Sequence, residues 1–182
     1  MKEYGINLNL VLMKNIIKVK GKIKFDPENK TNKHNNQATW KRVAMVLIEG
    51  ELAEYYTWFI KKRYNLPLNR PLRGAHITFI NDRSSEMNGK WEEVKKKWDG
   101  KEIEVVLDVD PRTDSARDNS SGHWWLNIPE EHRGQLHGIR AELGLGRPYW
   151  GLHMALGYAN EKNMSHSKYI HGLILNGYIK FD

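Results

Sequence analysis

Two kinds of hydrophobic spacing alternate along the chain and divide it into strands and helices. Residues 17–25 place Ile17, Val19, Ile23 and Phe25 on one side and Lys18, Lys20, Lys22 and Lys24 on the other. That period of two is the pattern of a half-buried strand with a lysine ladder, and such lysines commonly protect an outer or edge strand from pairing with another chain. A polar stretch, 26–38, predicts a loop. The unbroken apolar run 43–48 predicts a buried central strand. Leu52, Tyr55, Tyr56, Phe59 and Ile60 then recur at helical spacing, which predicts a helix over 49–65 with acidic residues at its start and Lys61, Lys62 and Arg63 at its end.

Residues 73–80 return to alternation. A short helix is expected near 90–98, with Trp91, Val94 and Trp98 on one face, then a strand at 102–109 with Ile103, Val105, Leu107 and Val109 inward. Residues 110–121 carry no apolar period and predict a loop; 123–128 predicts a strand. Pro129 opens a helix as a first-turn proline, Leu136, Ile139 and Leu143 give its face, and Gly144 stops it. A second strand at 150–157, a short helix near 166–175 and a strand at 177–182 complete the order. Strands and helices mix without strict βαβ alternation, so the expected class is α+β. No change of composition marks a boundary. The expected organisation is an N-terminal extension, 1–15, followed by one domain, 16–182, whose two similar halves suggest a duplicated, two-lobed sheet.

Composition narrows the function classes. The 182 residues suffice for a sizeable core, and 40% are hydrophobic, which excludes a disordered composition. The chain has no cysteine, which removes disulfides, thiolate zinc sites and a cysteine nucleophile and suits a reducing compartment. Cytoplasm is the expected location, a host's cytoplasm for a viral protein. The net charge of +7 favours a phosphate-bearing partner. No apolar run is long enough to span a membrane, so no membrane is expected. No protein partner is expected either.

The chemistry concentrates in two stretches, Arg73-Gly74-Ala75-His76-Ile77-Thr78-Phe79-Ile80 and Trp150-Gly151-Leu152-His153-Met154-Ala155-Leu156-Gly157. In a strand, His76 and Thr78 share one side while Ala75, Ile77 and Phe79 take the other. His153, Ala155 and Gly157 likewise oppose Leu152, Met154 and Leu156. Both histidines therefore sit opposite a core-seeking row. If the strands lie side by side, two imidazoles project into one cleft. One can take a proton from an attacking hydroxyl while the other gives one to a leaving oxygen, and an ordinary pKa near 6.5 allows both roles. A hydroxyl two residues after a histidine can hold a non-bridging phosphate oxygen.

His76-Ile77-Thr78-Phe79 and His153-Met154-Ala155-Leu156 resemble the paired His-x-Thr/Ser-x motifs of the two-histidine (2H) phosphoesterase superfamily. The phrase Pro71-Leu72-Arg73-Gly74-Ala75-His76-Ile77-Thr78 looks most like the phage anti-CBASS nucleases of that group. The resemblance covers the chain from about residue 16 to its end. It implies a two-lobed α+β fold with a central cleft between two antiparallel sheets. It also implies metal-independent hydrolysis of cyclic di- or trinucleotide messengers at 3′-5′ linkages, which counteracts bacterial antiviral signalling. An RNA-end 2′,3′-cyclic phosphodiesterase and a catalytically weakened nucleotide-binding sponge are the alternatives. Carried over, His76 and His153 are the general base and acid in either order, and Thr78 holds the phosphate. Ala155 stands where the family places Thr or Ser. His166, His171, Tyr149 and Tyr158 are the nearest polar residues that could supply the missing donor.

Bases and phosphates need flat surfaces and cations. Trp40 and Lys41, at the mouth of the central strand, are expected substrate contacts, as is Trp150 beside the second histidine strand; covering the core is the ordinary alternative for a Trp. Trp91, Trp98 and Trp124 fit apolar faces and are assigned to the core. His34, His123, His132 and His137 are expected to be solvated. No HExxH occurs, His166 and His171 are poorly spaced for one helix face, and Gly144-Leu145-Gly146 lacks a nucleotide-binding context, so neither metal nor cofactor is expected.

Overall fold

The computed structural model describes residues 15–28, 41–71, 73–82, 89–113 and 121–160. The expectations for the extension 1–15 (all but its last residue), for most of the loop 26–38, for Trp40, His34, His166 and His171, and for the helix and strand after 160 lie outside the described residues. Among these, the elements run β1 (Ile16–Phe25), β2 (Ala44–Ile48), α1 (Leu52–Tyr64), β3 (His76–Ile80), α2 (Trp91–Trp98), β4 (Glu102–Asp108), β5 (Arg112–Thr113), β6 (Ser121–Asn127), a 3₁₀ turn (Glu130–His132), α3 (Gly134–Glu142) and β7 (His153–Asn160). The class is α+β, with antiparallel pairing throughout.

The seven strands form one sheet in the order β4-β1-β2-β3-β7-β6-β5. Two sheets with a cleft between them were expected; here β3 and β7 pair directly through His76 and Ala155. The physical reason is edge satisfaction: two sheet edges that meet bury fewer unpaired N–H and C=O groups than two edges held apart. The motif strands are thus neighbours at the middle of the sheet.

Residues directly opposite one another point to the same face. One row crosses the strands as Lys22, Leu47, His76, Ala155 and Trp125. The reverse row, Ile23, Val46 and Ile77, is fully buried. Ile60 of α1, Val94 of α2 and Leu136 of α3 join that same core cluster, so the helices cover the face opposite the histidines. Full burial of such side chains contributes about 1.5–3 kcal/mol each, which anchors the register and with it the side to which each histidine points.

Several local expectations are revised. β1 is flanked on both sides by β4 and β2, so its lysines protect no edge; they project from the open face. In α1, which begins at Leu52, the buried stripe is Ala53, Tyr56, Ile60 and Tyr64; Leu52 and Phe59 pack at its margin and Tyr55 is left exposed, because a helix of this spacing faces the core with one narrow stripe. Asn65 ends the helix in the left-handed conformation that asparagine tolerates. Arg112–Thr113 pairs with Trp125 and Trp124 as a short strand within the expected loop. Pro129 precedes a 3₁₀ turn, and α3 begins only at Gly134.

Candidate active site

A glycine stands two residues before each histidine, and before β3 it makes a turn. Gly74 has φ +71°, a conformation open to glycine, and its N–H donates to the Pro71 carbonyl at 3.0 Å. The turn aims the Gly74 carbonyl at the ring two residues on, and His76 Nδ1 lies 2.8 Å from it. The second motif repeats the arrangement, with His153 Nδ1 at 2.8 Å from the Gly151 carbonyl. A carbonyl only accepts, so each Nδ1 carries the proton. Each neutral imidazole then keeps its Nε2 lone pair for a proton.

The two motif strands meet at one registered pair. His76 is opposite Ala155. His153 and Thr78 each lie two residues from that pair, on the faces of Ala155 and His76 respectively. Both imidazoles therefore project from the same face of the sheet. One cleft of about 340 Å³ is lined by His76, Thr78, Asn81, Trp150, His153 and Ala155. That is the small end of the range for ligand sites, about 300–1,000 Å³. The Thr78 hydroxyl has no hydrogen-bond partner among the described residues.

Both imidazoles are half-buried, and burial holds both below the ordinary histidine value. The Nδ1 hydrogen bonds oppose this without cancelling it. Arg73 and His153 push His76 further down by charge; His123 and Arg133 do so for His153. Burial therefore favours the neutral form of both rings, and an anion entering the cleft favours protonation of either.

Of the residues assigned from sequence, His76, Thr78, His153, Ala155 and Trp150 come together in this cleft. Lys41 is exposed just before β2 and is not among the residues that line the cleft. Trp124 and Trp91 are buried in the core, while Trp98 is half-buried against it. Two residues near the site were not singled out. Trp125 faces the open side beside Ala155, its ring centroid 5.6 Å from that of His153. The alternation that sends Trp124 and Leu126 inward already sends Trp125 outward. Asn81 follows β3 and had no comparable signal. No group of three His, Cys, Asp or Glu that could hold a metal occurs among the described residues. Among them, too, no helix is long and apolar enough to cross a membrane.

No family model matches the chain, and no curated protein matches it. Among solved structures it is similar to Usb1 of Kluyveromyces marxianus, with 13% identity over 90% of this chain and 80% of that one and a TM-score of 0.41. The structure of the same protein with uridine monophosphate aligns at 14% identity with equal coverage and a TM-score of 0.36. At that distance the likeness carries nothing about the site.

Proposed function

We propose that this chain is a metal-independent phosphodiesterase of the 2H type that hydrolyses 3′-5′ linkages of cyclic oligonucleotides. The observation that supports the reading is the related placement of two Nδ1-tethered imidazoles in one cleft. The scissile phosphate sits between the rings. One Nε2 takes the proton of the attacking oxygen, from water or a ribose hydroxyl, as the new P–O bond forms. The other, protonated, gives its proton to the departing ribose oxygen as the old P–O bond breaks. Thr78 donates to a non-bridging oxygen. Substrate charge supplies what the empty site lacks: the phosphate anion raises the imidazole pKa values, so one ring enters the reaction protonated.

Either ring can serve as acid or base, and the polarity of the bound substrate decides between them. The small, open cleft suits one phosphate with its flanking sugars. Trp150 offers a base a flat surface, and the family resemblance of the residues before His76 favours the cyclic substrate.

The test is incubation of the pure protein in EDTA with cyclic di- and trinucleotides, followed by separation of the products. Linear products support the proposal. Intact ligand recovered from the bound state replaces it with a sponge. Turnover confined to RNA carrying a 2′,3′-cyclic phosphate replaces it with an RNA-end phosphodiesterase.

A further inference from the structure

The two residues after β3 have different fates. Asn81 lines the cleft, exposed, and its amide has no hydrogen-bond partner among the described residues. Asp82 turns away and receives both arms of Arg140, Nη1 to Oδ2 at 2.7 Å and Nη2 to Oδ1 at 3.0 Å. Arg140 is 1% exposed and is the buried charged residue among those described. Its Nη1 also donates to the Phe79 carbonyl at 2.7 Å, and its Nε to the Gly146 carbonyl at 2.8 Å. One guanidinium therefore holds the chain on both sides of Asn81. It also holds the loop that leads from α3 to Trp150 and His153.

We infer that Asn81 donates its side-chain N–H to a non-bridging oxygen of the bound phosphodiester, and that the Arg140–Asp82 pair is the positioning device that keeps it at the cleft wall. The inference rests on the phosphodiesterase reading and extends it. Of the two positions that follow the histidines by two residues, only Thr78 brings a hydroxyl, since the other is Ala155. A carboxamide is a neutral donor, so it waits in a half-open cleft without the desolvation cost of a cation. Preorganised donors of this kind act only when their backbone is fixed, and the guanidinium fixes residues 79 and 82 with a planar fork that lysine cannot reproduce.

The experiment compares Asn81→Ala, Asp82→Asn, Arg140→Lys and the double variants of Asn81→Ala with each clamp variant. Cyclic dinucleotide turnover is measured beside inorganic phosphate binding and the melting temperature. Asn81→Ala is expected to keep its melting temperature and to lose about 10²–10³-fold in kcat, the loss typical of one such donor. Asp82→Asn, which keeps the side-chain shape, and Arg140→Lys are expected to lower kcat towards the same floor. Once Asn81 is already Ala, neither is expected to lower it further. A wild-type kcat in Asn81→Ala overturns the inference. So do clamp variants that slow the Asn81→Ala protein as much as they slow the wild type, since a purely structural pair behaves that way. If the wild type binds phosphate but turns nothing over, the phosphodiesterase reading fails by itself. In that case weaker phosphate binding by Asn81→Ala still supports the donor, and unchanged binding rejects it.

Discussion

The His76 strand and the His153 strand are built alike up to one atom group. Each has a glycine two residues before the histidine, an Nδ1 tethered to that glycine's carbonyl at 2.8 Å, and an imidazole held below its ordinary pKa by burial. Each backs onto fully buried side chains, Ile77 and Phe79 in one case, Met154 and Leu156 in the other. They diverge at the second residue after the histidine, where one has the Thr78 hydroxyl and the other the Ala155 methyl. Their surroundings differ as well. The first strand runs into Asn81 and the Arg140–Asp82 pair; the second is flanked by Trp150 and Trp125. In the proposed reaction the likeness would place two proton carriers around one phosphate. The difference gives hydroxyl and amide donors to one side and aromatic surface to the other.

Removing what the strands share is expected to cost most. His76→Ala and His153→Ala should each lower kcat about 10²–10⁴-fold in EDTA with the fold intact by circular dichroism. Removing what they do not share should cost less and on one side only. Thr78→Val is expected to lose about 10²–10³-fold in turnover, whereas Ala155→Ser, measured in the same assay, should leave the rate unchanged or raise it.

A subtler effect concerns pH. In the proposed reaction the pair is productive with one proton. Both pKa values lie below 6.5 in the empty cleft, so the singly protonated form is most populated on the acid side of 6.5. kcat/KM should therefore peak below pH 6.5, while the kcat profile, set with the phosphate bound, should lie at higher pH. The smallest expected effect is on stability. The unfolded chain takes up protons at these histidines before the folded one does, so stability falls as pH drops from 6.5 through the lowered folded values. Melting of His76→Gln against pH should show a shallower loss across that window.

Much of this was legible in the sequence because it follows from strand parity. Alternation placed His76 and Thr78 opposite Ile77, and His153 opposite Met154, as the structure has them. The register between the strands was not legible, because β3–β7 pairing joins residues far apart in the chain. With it went the single sheet; the setting of the β1 lysines was hidden for a like reason, since β1 pairs with β4 across eighty or more residues. The Arg140 clamp had a visible sign, since Leu136, Ile139, Arg140 and Leu143 fall on one helical stripe and place a cation at a core position. Asn81 had none, because its role depends on where β3 ends and what holds the following turn.

The double-mutant cycle of His76 and His153 reads the shared task of the two rings most directly. Turnover of a cyclic dinucleotide in EDTA is compared among wild type, His76→Ala, His153→Ala and the double variant. Two rings acting on one phosphate form a unit, so the double variant should be no slower than the slower single one. Losses that multiply, or a single variant with wild-type turnover, would show that the two histidines do not work on the same bond.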